Sequence, residues 1–141
     1  MISLLNAHRW TDRLRDVPVI SIIDDDESIR VSTMMLVRSL GFAAHAFPSA
    51  QAFLHSEQLN ETSCLISDIH MPTMSGIQLQ DELRASGRNI PIIFITAFPD
   101  DKIRAEALVR GAVGFLNKPF DGETMSRCID TALKNNTGKS G

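Results

Sequence analysis

Five short, nearly uninterrupted apolar runs alternate with longer stretches of helical periodicity, and this alternation restricts the chain to very few folds. Val19-Ile20-Ser21-Ile22-Ile23 is rich in β-branched residues and ends in acids. Phe42 to Phe47 is short and strand-like, Ser63 to Ser67 leads into Asp68, Pro91 to Ile95 is the most apolar run, and Val113 to Leu116 is the fifth. Between the first two, Ile29, Met34, Met35, Leu36 and Leu40 recur at helical spacing, and Gly41 then stops the helix. Pro48 and Ser49 open a second helix through Leu54, and Ile77, Leu79 and Leu83 mark a third. A fourth runs from Asp101 to Arg110 before Gly111, and the last from Asp121 to about Lys134. Strands that are apolar on both sides, each followed by a helix, predict an α/β fold with a parallel sheet covered on both faces. Crossovers of one hand leave few topologies, and the order 2-1-3-4-5 suits five such units.

The chain has 141 residues, enough for one domain. The repeating pattern occupies residues 17–135. Residues 1–16 precede it as an extension whose Leu4, Leu5, Trp10 and Leu14 fit either a short amphipathic helix or a loosely ordered segment. Residues 136–141 form a polar, glycine-containing tail. With 43% hydrophobic and 22% charged residues, the chain can build an ordinary core. A formal net charge of -3 argues against these residues gripping nucleic acid by themselves, because phosphate binding needs a basic patch. Cys64 and Cys128 both lie in apolar stretches and read as reduced, buried thiols. No run approaches the roughly 18 apolar residues of a membrane span, and the start lacks a signal-peptide stretch, so a cytoplasmic protein without membrane contact is expected.

In parallel sheets of this kind, ligands bind at the carboxyl ends of the strands. The first strand ends in Asp24, Asp25 and Asp26, the third in Asp68, the fourth in Thr96, and the fifth in Asn117-Lys118-Pro119. Strands 1, 3, 4 and 5 are neighbours in the expected sheet, so these groups converge. Clustered carboxylates repel one another unless a cation compensates, and oxygen-only ligands suit Mg²⁺. A carboxylate can attack a phosphoryl group, Lys118 can offset charge on its oxygens, and the Thr96 hydroxyl can donate to them. Taken singly, each residue has a plainer reading: Asp26 is best taken as a helix cap, a threonine at a strand end reflects β propensity, and a lone lysine is a solvated charge. His8, His45 and His55 have no ligand-like spacing to one another.

Four segments together resemble the signature segments of response regulator receiver domains. They are Ile22-Ile23-Asp24-Asp25-Asp26, Ile66-Ser67-Asp68-Ile69-His70-Met71-Pro72 with Gly76, Ile95-Thr96-Ala97, and Asn117-Lys118-Pro119-Phe120. The resemblance spans about Val19 to Lys134, and the acidic run and the loop from Met71 to Gly76 look most like the nitrogen-fixation-regulator branch. It implies the flavodoxin-like receiver fold, with Asp68 as phosphoacceptor for a sensor histidine kinase or phosphotransfer protein. It also implies Mg²⁺ held by Asp24, Asp25, Asp68 and the backbone carbonyl of His70. Thr96 would be the switch hydroxyl, Lys118 the phosphoryl contact, Phe115 the switch aromatic, and the bond before Pro119 cis. His70 and Phe98 depart from any fixed pattern at positions flanking the path of attacking water, and Phe98 offers that water no hydrogen bond, so both are expected to tune dephosphorylation.

The output is expected to be a protein contact, with an output protein or a second copy, through the fourth helix, fifth strand and last helix. Only Asn135 to Gly141 follow the last helix, too few for a helix-turn-helix domain, so a stand-alone receiver is the expectation. A magnesium-dependent phosphatase would also use a strand-end aspartate, but commonly carries a second aspartate two residues on, where this chain has His70. A degenerate receiver acting as a scaffold would not retain Asp24, Asp25, Asp68, Thr96 and Lys118 together. The chain is therefore expected to be a signalling acceptor and not an enzyme, apart from self-phosphorylation by small donors and self-dephosphorylation.

Overall fold

The structure, a computed structural model, describes residues 17–140, with side chains through Lys134. The expectation for residues 1–16 lies outside the described residues. Five strands, β1 (Val19–Ile23), β2 (Ala43–Phe47), β3 (Cys64–Asp68), β4 (Ile92–Thr96) and β5 (Gly114–Asn117), form one parallel sheet in the order β2-β1-β3-β4-β5. The helices are α1 (Glu27–Ser39), α2 (Ala50–Leu54), α3 (Gly76–Ala85), α4 (Asp101–Val109) and α5 (Gly122–Ser140). This is the expected α/β architecture, with each strand placed within a residue of its apolar run.

Alternation along the strands divides the core in two. Ile20, Ile22, Ile66, Ile93 and Ile95 face α1 and α5, where Val37, Met125 and Ile129 cover them. Ile23, Leu65, Ile92 and Phe94 face the other way, against Phe53 of α2, Leu79 and Leu83 of α3, and Ala107 of α4. Each such side chain contributes about 1.5–3 kcal/mol on full burial, so both faces need their helices. Each of the first four helices starts on a side-chain cap: Asp26, Ser49, Ser75 and Asp100 accept hydrogen bonds from the first-turn N–H groups. Gly41 and Gly111 follow α1 and α4 with φ of 97° and 99°, a backbone region open to glycine.

Two boundaries differ from the sequence expectation. A 3-10 turn, Glu57–Asn60, joins α2 to β3; its Glu-Gln-Leu-Asn run is too short to show a period. The last helix runs to Ser140, past the expected end near Lys134, because no proline interrupts Asn135 to Ser140. Cys64 is buried and Cys128 half-buried, and both are free thiols. Burial pushes the Cys64 thiol up to about 12, with Cys128 adding a little, so Cys64 stays a protonated, unreactive core group.

Candidate functional site

The carboxyl ends of β1, β3, β4 and β5 meet at one edge of the sheet, and the chain places a polar residue at each. Asp24 follows β1. Its N–H donates to the Phe47 carbonyl at 3.2 Å and its own carbonyl accepts from Arg30 at 2.9 Å, so β2 and α1 both fix it. The Asp24 carboxylate is wholly buried, and its Oδ1 accepts from the Asp26 N–H at 2.9 Å. Asp25 beside it is exposed. Asp26 points away and caps α1 through the Ile29 N–H at 3.1 Å, as its plainer reading had it.

Asp68 closes β3 and is 6% exposed. Its Oδ1 accepts from the His70 N–H at 3.2 Å. The following loop turns back at once: the Gly76 N–H bonds the Ile69 carbonyl at 2.9 Å, and Thr73 holds a φ of 72°. A Cβ on Gly76 would lie 2.9 Å from the Asp68 carbonyl oxygen and 2.7 Å from the Phe94 ring, so only glycine fits there.

Lys118 follows β5, and its N–H donates to the Thr96 carbonyl at 2.7 Å. The peptide bond to Pro119 is cis. The ammonium lies 2.8 Å from Asp24 Oδ2 and 3.2 Å from Asp68 Oδ2, with only 12% of the side chain exposed. The contact to Asp68 is a hydrogen bond. The contact to Asp24 is close but not aligned as one, so the buried Asp24 Oδ2 has a charge beside it and no directed donor. Burial raises the Asp68 pKa, Lys118 pulls it back, and Asp24 pushes it up again; the net direction is upward. Burial alone would lower the Lys118 pKa, but the two carboxylates outweigh it and hold the ammonium charged.

One carboxylate oxygen from each of Asp24, Asp25 and Asp68 falls within a 4.8 Å cluster. Three carboxylates against one ammonium leave excess negative charge. The donors are all oxygen, one of them the buried Asp24 Oδ2 with only the Lys118 charge beside it, and one acid opens to solvent. Such a set fits a hard divalent cation that keeps part of its water shell.

Of the remaining sequence candidates, only His70 touches this cluster, through its N–H to Asp68. The Thr96 hydroxyl is buried and engaged with its own loop, accepting from the Phe98 N–H at 3.0 Å and lying 3.2 Å from the Phe98 carbonyl. Phe98 is 71% exposed, and the His70 ring meets it edge-on with centroids 6.1 Å apart. Phe115 is half-buried, tilted against Phe94 at 6.4 Å. Sequence reasoning missed Arg30, which braces the Asp24 backbone and sits one turn into α1 like any solvated charge.

A family model described as the response regulator receiver domain matches residues 20–130. The response regulator protein TodT of Pseudomonas putida is 41% identical over 116 residues, covering 82% of this chain and 51% of TodT. The transcriptional regulatory protein FixJ of Bradyrhizobium diazoefficiens is 36% identical over 115 residues, covering 82% of this chain and 56% of FixJ. The latter similarity bears out the likeness to the nitrogen-fixation-regulator branch. Among solved structures, the response regulator StyR superposes with a TM-score of 0.81 at 38% identity, covering 88% of this chain and 63% of that one. The chain thus spans about half the length of the curated relatives it matches. With the fold, the strand-end acids and these similarities in agreement, the chain belongs to the response regulator receiver domain family of two-component systems.

Proposed function

We infer that this chain accepts a phosphoryl group on Asp68 from the phosphohistidine of a sensor histidine kinase or phosphotransfer protein, and that the aspartyl phosphate switches a protein-binding surface. The observation that supports this most is the joint placement of Asp68, Asp24 and Asp25 within 4.8 Å, with the Lys118 ammonium 3.2 Å from the Asp68 carboxylate. In the transfer, an Asp68 carboxylate oxygen forms the new bond to phosphorus while the phosphorus–nitrogen bond of the donor breaks and the imidazole leaves, taking a proton. Lys118 offsets the charge on the phosphoryl oxygens, and the low exposure of its own side chain keeps that interaction strong. Asp24, Asp25, Asp68 and the His70 carbonyl would hold Mg²⁺, which when bound supplies the positive charge that lets an anionic donor approach three carboxylates.

The switch begins at Thr96. A phosphoryl group on Asp68 offers its hydroxyl a stronger acceptor than the Phe98 carbonyl. Drawing Thr96 inward vacates space beside β5 for Phe115, and the surface formed by α4, β5 and α5 then presents a different face to an output protein or a second copy. FixJ carries the description transcriptional regulatory protein; for this chain the output contact is proposed as protein, with no direct nucleic-acid binding by these residues. Among the described residues no helix is long and apolar enough to cross a membrane, which suits a chain that meets its phosphodonor in the cytoplasm.

The test is intact-mass measurement after incubation with acetyl phosphate. Wild type with Mg²⁺ should gain one phosphate; wild type in chelator and Asp68→Asn should gain none. An equal adduct on Asp68→Asn would contradict the assignment.

A further inference from the structure

α4 is weakly embedded. Of its nine residues only Ala107 is buried, while Leu108 and Val109 are 42% and 87% exposed. Its C-terminal turn is instead held by polar groups of α3. Gln80 Nε2 donates to the Ala107 carbonyl at 3.2 Å across a buried join. The Asp81 carboxylate accepts from Arg110 Nε at 2.9 Å, and the Arg84 guanidinium reaches the Arg110 carbonyl at 3.5 Å. Arg110 also pairs with Glu106 one turn back at 2.9 Å, so the residue that ends α4 is tied both to its own helix and to α3.

Two features make this join easy to release. The Gln80 side chain is buried, yet its amide oxygen accepts no hydrogen bond. A buried acceptor without a donor favours any movement that admits water or another donor to it. The Ala107 carbonyl also accepts from the Ala112 N–H at 3.0 Å, so it is not orphaned when Gln80 departs. The Arg110–Asp81 pair is open to solvent, with the side chains 30% and 53% exposed, and such pairs hold only weakly.

We propose that Asp81 and Arg110 form a polar latch that holds the C-terminal turn of α4 against α3 in the unphosphorylated protein, that the unpaired Gln80 amide oxygen weakens the same join, and that the latch is released when the α4–β5–α5 surface rearranges. The second half of this statement rests on the phosphoacceptor reading above. None of the three residues is among the contacts of Asp68 or Lys118, so they act as positioning residues. A contact present in only one of two forms biases the equilibrium between them, and any ligand that prefers the other form then binds more tightly when the contact is removed.

The full chain carrying Arg110→Ala or Gln80→Leu distinguishes this from a merely structural role, because the two variants should move in opposite directions. Arg110→Ala removes the pair to Asp81. Amide exchange across residues 101–112 should quicken about threefold, within the range of an exposed ion pair. Beryllofluoride with Mg²⁺, a mimic of the phosphoryl group, should bind about threefold more tightly. Gln80→Leu replaces the orphaned amide with apolar atoms of similar volume, so exchange across the same residues should slow and the mimic should bind more weakly. Exchange in β1 and β3 should match wild type in both.

Identical exchange across residues 101–112 in wild type and both variants would overturn the latch, as would equal loosening in both. Altered exchange with unaltered mimic affinity would overturn its coupling to the site. If wild type binds no beryllofluoride at all, the phosphoacceptor reading fails, and the exchange measurement still decides the latch.

Discussion

Phe98 takes both bonds of the Thr96 hydroxyl through its backbone and leaves its ring 71% exposed, edge-on to His70. An apolar ring at this place cannot align water for attack on a phosphoryl group at Asp68; it can only obstruct it. Replacing Phe98 with Asn supplies a polar group, and loss of phosphate should then quicken about tenfold, equivalent to about 1.4 kcal/mol of barrier. The measurement is phosphate release after removal of excess donor; unchanged or slower release would contradict shielding by the ring. Single residues were unevenly legible. Asp24, Asp68 and Lys118 could be read because strand order alone makes their positions neighbours. The state of the Thr96 hydroxyl could not, since which acceptor it uses depends on a loop conformation that no periodicity encodes. Arg30 was hidden for a related reason: its partner is a backbone carbonyl, which carries no residue signature.

At the scale of elements, the β3–α3 loop is the tightest constraint. Gly76 opens α3 where a side chain would collide with the Asp68 carbonyl and the Phe94 ring. Gly76→Ala gains helix propensity but overpacks the join, and should cost about 1–3 kcal/mol of stability, read as a lower denaturant midpoint with the slope unchanged. A midpoint at or above that of wild type would show that the loop can yield. The strands themselves were legible because runs such as Ile92-Ile93-Phe94-Ile95 must be buried on both faces, which only an interior parallel strand allows. Two helix starts were legible, from Asp26 read as a cap and Ser49 as an opening residue, whereas the caps Ser75 and Asp100 were not singled out in the sequence. The 3-10 turn was not legible, nor was the far end of α5, where polar residues carry no apolar face and Gly138 reads as a helix end.

Over the whole molecule, the excess negative charge at the strand ends opposes folding, and a bound cation should relieve it. Mg²⁺ that binds the folded form stabilises by RT ln(1 + [Mg²⁺]/Kd), about 2.7 kcal/mol at one hundred times Kd. Wild type should therefore melt at a higher temperature in Mg²⁺, and Asp25→Ala should lose most of that gain; an equal response would remove Asp25 from the ligand set. Switching is a property of the same scale. Phe115 is already half-buried against Phe94, so its further burial supplies at most about 1–2 kcal/mol. A complete two-state conversion needs about 5.5 kcal/mol, and the contacts of Thr96 and Lys118 to the phosphoryl group must supply the rest. Beryllofluoride should thus change the association state of wild type in sedimentation, while Thr96→Ala should still take phosphate and respond far less; an equal response would break the link between Thr96 and the surface.

All of these expectations depend on a covalent bond at one residue, and that bond can be trapped. Borohydride reduces an aspartyl phosphate to homoserine, so the site of attachment becomes a permanent change in one peptide. After treatment with acetyl phosphate and Mg²⁺, peptide mass analysis should find homoserine at position 68, and none there when Mg²⁺ is chelated. Homoserine at Asp24 or Asp25 instead, or an unmodified Asp68 in protein that has gained phosphate, would contradict the account.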